Sequence, residues 1–175
     1  MKTLIVYYSS SGNNEFLAKE LQKRLNCEID KIIPLKKRTQ FSIILDAYFK
    51  GKSKIQKSDH HLIEFDRIIL ITPIYIGKIA TPMKSFIEME RDNFKEYSFI
   101  TICNGVPEQN RKITDELTRL AKKKPLAVTE LMVNDLLPPD KKNKPSYTSA
   151  YKVQERDFQV FEKTIENFLK VSISN

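Results

Sequence analysis

Five short apolar runs alternate with segments of helical period along this chain, and that alternation constrains the fold more than any other feature. The runs are residues 3–8, 28–35, 67–72, 97–103 and 126–133. They are rich in β-branched and aromatic residues, as strands buried on both faces are. Between and after them, apolar residues recur at helical spacing. Leu17, Leu21 and Leu25 line one face. Phe41, Ile44, Leu45, Tyr48 and Phe49 line another, on a helix that ends near Gly51. Pro82 suits the first turn of a helix whose inner face is Met83, Phe86 and Ile87. Ile113, Leu117, Leu120 and Ala121 mark the next helix, and Phe158, Phe161, Ile165, Phe168 and Leu169 the last. Parallel strands need long crossovers, usually helical, so the pattern predicts an α/β fold with a mostly parallel sheet covered on both faces. The chain's 175 residues, 41% of them hydrophobic, suit one domain spanning 1–175, and no internal repeat is visible. Residues 135–151, with Pro138, Pro139 and Pro145, read as a long surface loop.

Sheets of this kind bind ligands beyond the carboxyl ends of their strands, so the loops after the first, third and fourth runs are where chemistry is sought. The first is Ser9, Ser10, Ser11, Gly12, Asn13 and Asn14, followed by Glu15. At a helix N-terminus, unpaired backbone N–H groups and the helix dipole converge on an anion. Hydroxyls and amides add neutral hydrogen bonds, and Gly12 allows a tight curl. The loop has no basic residue, so a phosphate held there is held by dipoles alone. The same residues also fit an ordinary turn and N-cap. The second loop is Pro73, Ile74, Tyr75, Ile76 and Gly77, then Lys78. Apolar residues at a strand exit either finish the core or are covered by something flat, and Tyr75 offers a π-face with a polar tip. The third is Cys103, Asn104 and Gly105, which also reads as a plain Asn-Gly turn after a small buried residue.

The first loop resembles the phosphate loop of the flavodoxin family, which runs Thr/Ser-x-Thr/Ser-Gly-Asn-Thr, often with Glu next. The second is similar to the Pro-Ile-Tyr/Trp-x-Gly loop that packs on the flavin in flavodoxin-like proteins. The resemblance covers nearly the whole chain and is most specific over residues 3–21 and 67–87. It implies a three-layer αβα sandwich with a five-stranded parallel sheet in the order 2-1-3-4-5. It also implies FMN as cofactor. Ser9, Ser10, Ser11, Gly12, Asn13 and Asn14 would hold its phosphate. Pro73, Ile74, Tyr75, Ile76 and Gly77 would contact its ring, with Tyr75 stacking, and Cys103, Asn104 and Gly105 would border the other edge. The chain departs from the family at three points. Asn14 replaces the usual Thr, the balance is basic rather than acidic, and residues 36–58 form a basic segment carrying a helix.

The formal charge is +8, with basic runs at Lys36, Lys37 and Arg38, at Lys50, Lys52 and Lys54, at residues 122–124 and at residues 141–144. No ladder of aromatic and basic residues points to nucleic acid, and interspersed acids fit a solvated surface. An anionic partner protein, or an anionic membrane carrying quinone, is the other reading of that charge. Two distant cysteines, Cys27 and Cys103, form neither a disulfide framework nor a metal-ligand spacing, which fits a reducing cytoplasm. No run approaches the ~20 apolar residues of a membrane span. The N-terminal run is too short for a signal peptide. His60 and His61 sit in a polar connector and read as exposed. A receiver domain needs acids after the first strand, and a low-molecular-weight phosphatase needs Cys-x5-Arg there. A dinucleotide-binding fold needs Gly-x-Gly-x-x-Gly. The four glycines are not so spaced, and the other signatures are absent too. No acid–base constellation stands out. The functional expectation is an FMN-dependent oxidoreductase that passes electrons from a reduced donor to a quinone-like or other acceptor. An electron-transfer flavodoxin without its own substrate and a non-redox module of the same fold are the alternatives.

Overall fold

The computed structural model describes residues 1–35, 53–75, 77–105 and 108–174. Several expectations lie outside the described residues: the helix of Phe41, Ile44, Leu45, Tyr48 and Phe49, the basic residues Lys36, Lys37, Arg38, Lys50 and Lys52, and the site candidate Ile76. The elements follow in chain order as β1 (Thr3–Tyr7), α1 (Asn13–Leu25), β2 (Glu28–Lys31), β3 (Arg67–Ile71), β4 (Ile74–Tyr75), β5 (Lys78–Ile79), α2 (Thr81–Glu90), β6 (Glu96–Cys103), α3 (Gln109–Ala121), β7 (Val128–Met132), α4 (Pro145–Thr148) and α5 (Phe158–Ile173). Five strands form one parallel sheet in the order β2-β1-β3-β6-β7, which is the expected 2-1-3-4-5 order and a flavodoxin-like topology. No described helix is long and apolar enough to cross a membrane.

Side chains alternate across a strand, so each central strand feeds two cores. Leu4, Val6, Ile68, Leu70, Tyr97 and Phe99 face α2 and α3, meeting Met83, Phe86, Ile87, Ile113 and Leu117. Ile5, Tyr7, Ile69, Ile71, Ile100 and Ile102 face α1 and α5, meeting Leu17, Leu21, Phe158, Phe161, Ile165 and Phe168. Packing, not charge, seats α5. Arg24 on α1 forks onto Glu162 at 2.7 and 2.9 Å, but a part-exposed pair contributes only about 0–1 kcal/mol. Each buried aromatic of α5 contributes about 1.5–3 kcal/mol.

Four expectations change. β2 ends at Lys31; the Ile32 N–H still reaches the Tyr7 carbonyl of β1 at 2.8 Å, after which residues 33–35 bond instead to residues 54–56 around an antiparallel bridge from Pro34 to Ile55. An edge strand with exposed Ile33 and Leu35 has one neighbour to satisfy, so a short strand suffices. After β3 the chain does not simply loop: Ile74 and Tyr75 pair antiparallel with Ile79 and Lys78 in a two-residue ribbon. The 135–151 segment is not a plain surface loop, because it holds the turn Pro139–Lys141 and helix α4 and buries Thr148. His61 is exposed as expected, but His60 is not free. Its Nδ1 lies 2.5 Å from buried Asp30, which also takes the Ser58 hydroxyl, and its ring meets Phe65 edge-on.

One side chain fixes α1 to the sheet. β3 ends with Ile71 opposite Ile100, so β6 runs past it, and Ile102, which lies opposite Leu131 of β7 on one side, has no strand partner on its β3 side. Buried Asn14 takes the strand's place. Its Oδ1 accepts the Ile102 N–H at 2.9 Å and its Nδ2 donates to the Ile102 carbonyl at 3.2 Å. The first turn of α1 is thereby set over the carboxyl ends of β3 and β6. Asn14→Ala should destabilise the protein by about 2–4 kcal/mol in urea unfolding, because two buried backbone groups lose their partners. Asn14→Asp should cost at least as much at neutral pH and recover on acidification, since only the protonated carboxyl can donate to Ile102. A loss below about 0.5 kcal/mol for the alanine variant would show that this amide is not what holds the loop.

Candidate functional site

The 9–14 loop leaves β1 and turns at Gly12, whose φ of 97° belongs to the left-handed region. An added Cβ meets nothing within 4 Å, so backbone conformation and not crowding requires glycine here. The Ser9 hydroxyl accepts the Gly12 N–H at 3.1 Å, and the Ser10 hydroxyl is hydrogen-bonded to the Tyr75 phenol. No side chain caps α1. The amides of Asn13, Asn14 and Glu15 have no acceptor within the helix, while the Phe16 N–H reaches the Gly12 carbonyl at 2.9 Å. The Glu15 carboxylate is bound to Lys19 and Lys31 at 2.9 Å each, which holds it below the usual carboxylate range. The loop therefore presents backbone donors to an anion while the nearest acid is already paired.

Two of the asparagines differ from the sequence expectation. The Asn14 side chain is buried against Ile102, so it braces the loop from beneath. Asn13 grips the segment before α5: its Nδ2 donates to the Tyr151 carbonyl at 2.9 Å and its Oδ1 accepts the Val153 N–H at 3.1 Å. The residue between them, Lys152, donates from Nζ to the Ser11 carbonyl at 2.6 Å. Dipoles alone do not describe this loop, because a lysine distant in sequence stands on it.

The ribbon after β3 is clamped from α3. Buried Glu116 accepts the Ile79 N–H at 2.9 Å through one carboxylate oxygen and holds the Lys84 ammonium of α2 at 2.8 Å through the other. The Ala80 N–H closes back onto the Pro73 carbonyl at 3.3 Å. Ile74 and Tyr75 pack on the core and also line the cleft, so the core and ligand readings of this loop coexist. Burial raises the Tyr75 phenol above its ordinary value, and the Ser10 hydrogen bond offsets part of that.

At the end of β6, Cys103 is buried and takes a hydrogen bond from Gln109 Nε2 at 3.3 Å. Burial, with the Glu130 carboxylate nearby, pushes its thiol up to about 11. A neutral buried thiol is no nucleophile at physiological pH. Gly105 has φ of 76°, and an added Cβ would lie 2.9 Å from Met132 Sδ, so both backbone and space restrict this position.

The three loops meet around one cleft of about 230 Å³, lined on one side by Ser10, Ser11, Asn13 and Asn14. Pro73, Ile74 and Tyr75 form a second wall, and Cys103 and Asn104 a third. The sequence reading missed Thr148 and Ser149, which close the cleft from the connector, and missed Lys152. A connector leaving the last parallel strand starts at the carboxyl edge of the sheet, and that topological signal was available. Among the described residues, no Asp, Glu, His, Lys or Arg lines the cleft. Uncapped amides and hydroxyls at one end, and an aliphatic and aromatic wall at the other, suit a phosphate ester of a flat ring. The donor set thus fits FMN.

Comparison with known proteins agrees with this chemistry. The family model for NADPH-dependent FMN reductases matches residues 1–98. A flavoprotein from Lactobacillus acidophilus NCFM, solved in complex with FMN, is 21% identical with a TM-score of 0.65, covering 82% of this chain and 99% of that one. A candidate flavoprotein from Bacteroides eggerthii DSM 20697 is 16% identical with a TM-score of 0.67, covering 99% of both chains. At such identities the solved structures establish the shared fold.

Two outcomes follow from the site's construction. Glu116→Ala should destabilise the protein by about 2–4 kcal/mol, leaving the Ile79 amide and Lys84 without their partner. Glu116→Gln, which keeps an acceptor for Ile79, should cost clearly less, and equal losses in thermal or urea unfolding would discount the clamp. Folding also raises the thiol values of Cys27 and Cys103 from 9.0 to about 11. The unfolded chain then releases these protons first, so stability is held below about pH 9 and declines as pH rises towards 11. Slow alkylation of native protein at pH 8, becoming rapid on unfolding, checks this, and rapid native labelling of Cys103 contradicts it.

Proposed function

Since the chain belongs to the NADPH-dependent FMN reductase family, with FMN as its flavin, we propose that it is an oxidoreductase that passes electrons from reduced nicotinamide to a quinone-like or similar small acceptor. The observation that carries this reading is the convergence of the 9–14 loop, of Pro73, Ile74 and Tyr75, and of Cys103 and Asn104 on one cleft whose described lining carries no charged side chain. When bound, FMN supplies the hydride and electron chemistry, and the protein supplies binding, orientation and electrostatics. The N–H groups of Asn13, Asn14 and Glu15 and the Ser11 hydroxyl hold the phosphate. Ile74, Tyr75 and Gly77 lie against the ring, and Asn104 and Gly105 border its far edge. Enclosing ligand pockets measure about 300–1,000 Å³. The narrower cleft here leaves part of the ring in solvent, where a donor and an acceptor reach it in turn. The net charge of +8 favours anionic partners such as the phosphates of a nicotinamide nucleotide. Unpaired Cys27 and Cys103 suit a cytoplasmic setting.

The reading is tested by binding and then by turnover. FMN added to the flavin-free protein should lose fluorescence in a saturable way as Tyr75 meets the ring. Ser11→Ala should weaken FMN by about 1 kcal/mol, the value of one hydrogen bond. Gly12→Val should weaken it more, through the forbidden backbone conformation. Riboflavin, lacking the phosphate, should be nearly indifferent to both changes. Equal effects on FMN and riboflavin would move the phosphate elsewhere. Tight FMN binding without quinone turnover by reduced nicotinamide would favour an electron carrier without its own substrate.

A further inference from the structure

We propose that Lys152 is a specificity-determining residue of the site, supplying the positive charge for the flavin phosphate that the 9–14 loop lacks. The inference rests on the reading of that loop as the phosphate site. Lys152 is exposed and stands in the connector before α5, yet its Nζ is only 2.6 Å from the Ser11 carbonyl oxygen. This placement is not left to a free surface side chain. The two hydrogen bonds of Asn13, to Tyr151 and Val153, fix the backbone on either side of Lys152. Tyr151 is further held by Asp157, which accepts its phenol at 3.1 Å. Val153 is buried in the core beside α5. A residue inside the loop thus sets the register of a distant segment, and the lysine is delivered to the loop as a result.

The charge has a purpose there. Among the described residues, neither the 9–14 loop nor the cleft lining contains a basic side chain, and Lys152 reaches the loop from beside that lining, while a phosphate monoester carries about −1.5 to −2 charges near pH 7. Two acids of the neighbouring segments are already engaged: Glu15 is paired with Lys19 and Lys31, and Asp157 accepts the Tyr151 phenol and the Gln154 N–H. Backbone N–H groups and the helix dipole already favour an anion, but they supply only partial charges, and the hydroxyls are neutral. A nearby ammonium adds a preference for the dianion, and so for FMN over riboflavin.

Titrations of FMN and riboflavin into wild-type protein, Lys152→Gln, Lys152→Arg and Lys152→Met test the proposal by fluorescence at low and high salt. Lys152→Gln keeps a donor for the Ser11 carbonyl and removes the charge. It should weaken FMN about three- to tenfold, leave riboflavin within about twofold, and flatten the salt dependence of FMN binding. Lys152→Arg should behave as wild type, and Lys152→Met as Lys152→Gln. If Lys152→Gln binds FMN like wild type while Lys152→Met does not, the residue only braces the loop and the proposal falls. If every variant keeps the wild-type preference for FMN, it also falls, although the phosphate site stands. Wild-type protein that does not distinguish FMN from riboflavin would overturn the phosphate site itself, and the proposal with it.

Discussion

The hydrogen bonding of the Asn14 carboxamide to Ile102 is the constraint on which the rest of the site depends. A parallel sheet has staggered strand ends, and β6 outruns β3. The protruding backbone needs partners, since a buried amide or carbonyl left alone costs about 1–3 kcal/mol. An asparagine at the start of α1 supplies both a donor and an acceptor in one planar group. The solution to a packing problem in the sheet also places the helix N-terminus and the Gly12 turn over the strand ends. Satisfaction of the backbone and construction of an anion site are the same event here.

The other two loops are held by equally local devices, each reaching in from a different layer. Glu116 on α3 reaches the Ile79 amide and draws in Lys84 from α2, which keeps the Tyr75 ribbon against the core. Asn13 pulls the segment after α4 onto the first loop, and Asn104 reaches Ser149 of the same segment at 3.4 Å. The walls of the cleft are therefore tied to one another as well as to the sheet. Such cross-bracing suits a site that must present a flat ring at a defined angle while leaving an edge open to reaction partners.

Much of this was legible in the sequence. The mostly parallel sheet and its two-faced core follow from the alternation of apolar runs with helical periods, the strand order was implied by the flavodoxin resemblance, and the three loops were named from their position at strand ends. The roles of individual side chains were less legible. Asn14 looked like a ligand-facing substitute for Thr, but only the register of β3 against β6 reveals the β3-side edge of Ile102 that it serves. Three serines looked equivalent, yet Ser9 and Ser10 are bound to Gly12 and Tyr75. The connector at 135–151 looked like surface because its prolines and charges carry no period, while its contribution comes from tertiary contacts of Thr148, Ser149 and the neighbouring Lys152. His60 looked exposed because its partner Asp30 lies on β2, 30 residues away in sequence. Periodicity reports which face of an element is buried. It does not report which polar group across the fold will answer an unpaired one.

The central claim is that a flavin phosphate sits in the 9–14 loop with its ring against Tyr75 and Asn104. Backbone amide shifts of labelled protein, followed by NMR during separate titrations with FMN and riboflavin, test it most directly. The account predicts that FMN perturbs residues 10–15 together with Tyr75, Asn104, Gly105 and Ser149, and that riboflavin perturbs the ring-side residues while sparing residues 10–15. The account is contradicted if FMN leaves residues 10–15 unmoved, or if its shifts centre on the hollow of about 370 Å³ formed by Met1, Lys2, Thr3 and Leu25 to Glu28 at the opposite end of the sheet.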